Sequence, residues 1–128
     1  MRTNQKRDFV HVSDIVRASR LALETTAASN EVFNIGSGND YTINEIAERF
    51  AKVLGREHIT PEIGGKYRVG DIRHCFADVT KAKQILDYSP QVSLENGLIE
   101  LAEWLEGQTA VDKVTEARNE LSARGLTV

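Results

Sequence analysis

Arg7–Gly38 reads RDFVHVSDIVRASRLALETTAASNEVFNIGSG, and the order of patterns in it decides the fold class. Arg7 to Val12 is short and rich in β-branched and aromatic residues, which predicts a strand. Ser13 and Asp14 are good helix caps. Ile15, Ala18 and Ala22, with Val16 and Leu23, then recur at helical spacing. Val32 to Gly36 predicts a second buried strand, closed by Gly36-Ser37-Gly38. Strand, helix and strand in this order make a βαβ unit, expected to be right-handed with parallel strands. Such a unit has no neighbours of its own to complete a sheet. It therefore either pairs with a second copy, as a homodimer, or forms the back end of something larger.

Downstream, Thr42-Ile43-Asn44-Glu45 has the form of a capping box. Ile43, Ile46, Ala47, Phe50, Val53 and Leu54 follow at helical spacing, with Gly55 as the stop. His58 to Ile63 alternates and contains Pro61, which predicts an edge strand. Asp78 is placed to cap a helix that turns Val79, Ala82, Ile85 and Leu86 inward. Ser93 is placed to cap another, with Leu94, Leu98, Leu101, Ala102 and Leu105 on one face. The last stretch predicts a more polar helix carrying Val111, Val114 and Leu121.

The 128 residues suffice for one domain with a core. A net charge of −3 argues against a general nucleic-acid-binding surface. No apolar run is long enough for a membrane span, and the start has no apolar core of a signal peptide. A single cysteine suits a reducing compartment, so a cytoplasmic location is expected.

Two glycines of a dinucleotide fingerprint are present at Gly36 and Gly38, but Tyr41 stands where the third belongs. The simpler reading is a turn leading into a capped helix. His11, His58, His74 and Cys75 have no metal-ligand spacing, so no metal site is expected. No tyrosine is followed four residues on by lysine: Tyr41, Tyr67 and Tyr88 meet Glu45, Asp71 and Val92. No catalytic or cofactor-binding residue is therefore assigned.

What remains is Lys66–Asp78, KYRVGDIRHCFAD. Arginine grips phosphate oxygens in a bidentate fork. Gly70 allows a sharp turn. An ionised aspartate only accepts, which suits a ribose diol. Arg68, Asp71 and Arg73, joined by Arg7, would thus form a coherent nucleotide-binding set. Spacing alone favours surface ion pairs instead, Arg68 with Asp71 or Arg73 with Asp78.

RDFVHVSDIV, VFNIGSG, YTINEIAE, RVGDIRHCFADVTKAKQILDYSP and SLENGLIELAEWL, in this order, resemble the C-terminal part of the NAD-dependent epimerase/dehydratase family, the extended short-chain dehydrogenases that act on nucleotide sugars. The resemblance covers residues 5 to 107 and is nearest to 4-epimerases of UDP- or dTDP-sugars. It implies an α/β fold, α+β in isolation. Residues 1–40 would be the last βαβ unit of a Rossmann domain, 41–107 a mixed substrate-binding domain and 108–128 a helical tail. It implies that Arg7 and Arg68 contact the substrate diphosphate, Asp71 the ribose, and Phe9 the substrate region. Cys75 falls where some sugar epimerases carry a tyrosine near the nucleotide.

The family's NAD loop and its tyrosine–lysine pair would lie in an N-terminal Rossmann half. The expected partners are thus that half and a nucleotide sugar, with no turnover by this chain alone. Two other classes fit the same residues: a non-catalytic nucleotide-sugar-binding module, and an interaction domain using a sheet edge.

Overall fold

The computed structural model describes residues 5–62, 64–65 and 68–127. Ile63, Lys66 and Tyr67, which belong to stretches read above, lie outside the described residues. Within them the chain is mixed α/β. A small sheet has β1 (Lys6–Arg7) at its centre, β2 (Tyr41–Thr42) on one side and β3 (His74–Cys75) on the other. β1 runs antiparallel to β2 and parallel to β3, with Arg7 opposite both Tyr41 and Cys75. The helices are α1 (Val12–Glu24), α2 (Ile43–Val53), α3 (Thr80–Leu86), α4 (Leu94–Glu106) and α5 (Val114–Ala123).

The core lies between α1, the short 3₁₀ turn Thr26–Ala28 and α3. Ala18, Ala28, Val79, Ala82, Leu86 and Tyr88 are buried there, with Phe33 and Ile35 packed against them. The inward face of α3 is the one its spacing predicts. The Tyr88 hydroxyl donates to the Gly36 carbonyl at 2.8 Å, which satisfies the polar end of a residue only 1% exposed.

Two strands read from sequence take another form. The strand expected from Arg7 to Val12 stops at Arg7, because α1 begins at Val12 with His11 as its cap. The His11 ring accepts from the Ser13 amide, so neither Ser13 nor Asp14 caps the helix. Val32 to Gly36 does alternate, with Phe33 and Ile35 partly buried and Val32 and Asn34 exposed. No strand lies beside it among the described residues, so no ladder forms. The expected parallel pairing is thus absent, and β1 pairs with β2 and β3 instead. His58 to Glu62 is likewise not a strand. Its chain turns at once, with the Ile59 amide donating to the Arg56 carbonyl.

The second helical layer packs α2 against α4. The capping box is complete: Glu45 N donates to Thr42 Oγ1 at 3.2 Å and Thr42 N to Glu45 Oε2 at 2.7 Å. The Thr42 amide, and after it the Thr42 hydroxyl at 2.8 Å, donate to the Glu45 carboxylate and hold its pKa below the usual range. α4 starts as expected, with Asn96 N donating to Ser93 Oγ. Of its predicted inner face, Leu98 is buried, while Leu101 and Leu105 are exposed. At Gly97, α4 passes close to α1: a Cβ there would lie 3.3 Å from the His11 ring.

Candidate functional site

The sheet brings two distant arginine motifs together. Arg7 faces Cys75 in the parallel register, which sets its side chain beside the segment leading into β3. Its Nη1 donates to the Lys6 and Arg73 carbonyls at 2.8 and 3.2 Å, and its Nη2 to the Ile72 carbonyl at 2.6 Å. Among the described residues, three of the five N–H donors of the guanidinium are so engaged, which leaves two. Arg7 is therefore first a tie between β1 and the loop at residues 72–73.

Immediately before that loop, residues 68–71 form a β-turn. Asp71 N donates to the Arg68 carbonyl at 3.1 Å, and Gly70 has φ +86°. That conformation at the third position marks a type II turn and selects glycine. The turn puts both side chains on one side, with Arg68 Nη2 3.4 Å from Asp71 Oδ1. The Arg68 side chain is 66% exposed. An exposed pair of this kind contributes about 0–1 kcal/mol, so it holds the guanidinium weakly. Of the two ion pairs weighed from sequence, this one forms. Asp78 instead accepts from Thr80 N at 2.9 Å, at the start of α3. That hydrogen bonding to Thr80 lowers its pKa.

Phe9 stands apart from this group. It lines a cleft of about 260 Å³ with Ser37, Asn39, Tyr41, Val92 and Leu94, among others. Neither Arg68 nor Asp71 lines that cleft. The structure thus ties Arg7 to the two residues that follow the Arg68–Asp71 turn and leaves Phe9 in a separate depression.

Two carboxylates missed in the sequence fix that depression. Asp8 accepts from the Ser37 amide at 2.8 and 3.1 Å. Asp14, 1% exposed, accepts from Gln91 N at 3.0 Å and Val92 N at 3.2 Å, and pairs with Arg17 at 2.7 Å. Lys6 pairs with Asp40 at 2.5 Å behind the sheet, and that bond raises its pKa.

The Gly36–Gly38 turn does not fit a dinucleotide phosphate. The Ser37 amide already serves a carboxylate, and a Cβ on Gly36 would clash with Asp8 Oδ2 and lie 2.7 Å from Ala77 Cβ. The glycine is there for the protein's own packing. Among the described residues no group of three or more His, Cys, Asp or Glu could hold a metal, and no helix is long and apolar enough to cross a membrane. Cys75 is free and exposed.

A family model described as GDP-mannose 4,6 dehydratase matches residues 2–101. The dTDP-L-rhamnose 4-epimerase of Burkholderia thailandensis is 34% identical over 102 residues, 80% of this chain and 28% of that protein. The UDP-glucose 4-epimerase of Bacillus subtilis is 35% identical over 100 residues, 77% of this chain and 29% of its own. Among solved structures, the UDP-glucose 4-epimerase of Thermotoga maritima with UDP-glucose superposes at a TM-score of 0.73, with 38% identity. That match covers 83% of this chain and 33% of the other. The UDP-glucuronic acid 4-epimerase of Bacillus cereus with NAD gives 0.68 and 30%, covering 82% and 32%. This chain therefore spans about a third or less of the length of the relatives it matches. By motif order, fold and similarity alike, the chain belongs to the NAD-dependent nucleotide-sugar epimerase/dehydratase family.

Proposed function

We propose that this chain is the substrate-gripping C-terminal portion of a nucleotide-sugar 4-epimerase that acts on UDP- or dTDP-sugars by transient oxidation at C4. Arg68 grips the diphosphate, Asp71 accepts from the ribose diol, and Arg7 offers its remaining donors to the same diphosphate. Phe9 borders the substrate region from the neighbouring cleft. The observation that carries this reading is the tie from Arg7 to the 72–73 carbonyls, which holds one arginine next to the turn that presents the other. Charge-assisted arginine contacts converging on one place suit a diphosphate.

In this reading residues 1–40 belong to a Rossmann domain whose N-terminal half binds NAD, 41–107 form the substrate domain, and 108–128 are a tail. The exposure of Val12, Val16 and Leu23, which recur on one face of α1, and of Val32, in an extended segment with no paired strand among the described residues, supports this. The chain's role is positioning, which sets a sugar against a nicotinamide held elsewhere.

Titration of the full chain with UDP, followed by amide chemical shifts, tests the grip. Shifts centred on residues 68–73 are expected, and Arg68→Lys weakens binding about three- to tenfold through loss of the bidentate fork. Equal affinity in the variant overturns the assignment of Arg68. Purified chain with NAD and UDP-glucose is expected to show no epimerisation, and measurable turnover overturns the division of labour.

A further inference from the structure

Val114–Ala123 is exposed along almost its whole length, yet its C-terminal end is built with care. Gly125 N donates to the Ser122 carbonyl, and Leu126 N reaches back to the Leu121 carbonyl, both at 3.0 Å. This is the paired bonding of a Schellman motif, and it needs Gly125 at φ +65°. Ser122 Oγ lies 3.2 Å from Thr127 Oγ1 and fixes the next residue. The reversal delivers the Leu126 carbonyl to Val69 N at 3.0 Å and pairs Thr127 with Arg68 in an antiparallel bridge. The two residues so held, Arg68 and Val69, are the first half of the turn that presents Arg68 and Asp71.

We infer that residues 125–127 are positioning residues for the Arg68–Asp71 turn, acting as a backbone bracket from the far end of the chain. The inference rests on the diphosphate reading above for its ligand, and on the bracket's own geometry for its structure. Residues 125–127 lie beyond the stretch that the family model matches, which ends at residue 101. Two anchors hold the turn from opposite sides: Arg7 grips residues 72–73 and the tail grips residues 68–69. A turn that is ordered before the ligand arrives loses less entropy on binding, so releasing one anchor lowers affinity without removing a ligand contact.

The test compares the intact chain, Gly125→Val, Gly125→Asn and a truncation after Arg124. Valine strongly disfavours the left-handed conformation and asparagine tolerates it. In Gly125→Val and the truncation, the Val69 amide is expected to exchange about tenfold faster, and UDP to bind about three- to tenfold more weakly. Gly125→Asn restores both to within about twofold of the intact chain. Amides of α1 and α3 serve as the internal control, since both helices lie in the separate core. Unchanged Val69 exchange in the truncated chain overturns the bracket. Faster exchange with unchanged UDP affinity overturns its positioning role. If the intact chain binds no UDP, the substrate reading fails by itself, and Val69 exchange still decides the bracket.

Discussion

The region between α1 and α3 and the region around the Arg68–Asp71 turn are held by different means. In the first, Tyr88 and Asp14 are 1% exposed and bonded to backbone far along the chain. In the second, the arginine is largely in solvent and its carboxylate partner is three residues away. The first is a frame in which each buried polar group has a partner. The second is a presented surface, where the ion pair is weak enough to yield to a ligand. The separation lets a substitution in one region be told from a substitution in the other.

The largest expected effect comes from breaking the frame. Asp14→Ala removes the acceptor of the Gln91 and Val92 amides and of Arg17, and costs about 3 kcal/mol. Urea denaturation measures it, and a loss below about 1 kcal/mol would show that water replaces the carboxylate without penalty.

An intermediate effect comes from Tyr88. Burial, then the nearby Asp14 carboxylate, raises its phenol pKa. A folded-state pKa above the unfolded one leaves stability intact below the ordinary phenol value of about 10. Stability is then lost as pH rises through the higher folded value. Tyr88→Phe is expected to cost about 1 kcal/mol at neutral pH, because the Gly36 carbonyl loses its donor. It also moves alkaline unfolding to higher pH. Matching alkaline midpoints in the two proteins would sink the linkage.

The smallest effect belongs to the presented turn. Arg68→Ala is expected to change stability by less than about 0.5 kcal/mol while abolishing most UDP-dependent chemical shift at residues 68–73. A large stability loss here would make Arg68 part of the frame and blur the contrast.

How much was legible follows from the range over which each signal acts. Thr42 with Glu45 and Ser93 with Asn96 are local caps, and both were readable because their partners lie within one turn. The inward face of α3 was readable from spacing. The strands were not, because a ladder needs a neighbour that spacing cannot supply; Val32 to Gly36 has the alternation and no adjacent strand among the described residues. Asp8 and Asp14 act on amides 29 and 77 residues away, which no local pattern reveals. Arg68 and Asp71 were found by residue type and motif order, but the tie that gives them Arg7 as a neighbour spans 65 and 66 residues. Phe9 was grouped with them by motif, and the folded chain puts it on the edge of another cleft.

Cys75 gives the sheet an experimental use. It is the sole cysteine of the chain, free and exposed, and it sits directly opposite Arg7 in the parallel register. A thiol-reactive spin label or fluorophore therefore attaches at one defined point beside the turn, with no cysteine to remove first. The sequence thus carries its own reporter position, four residues beyond Asp71 and on the strand that pairs with Arg7.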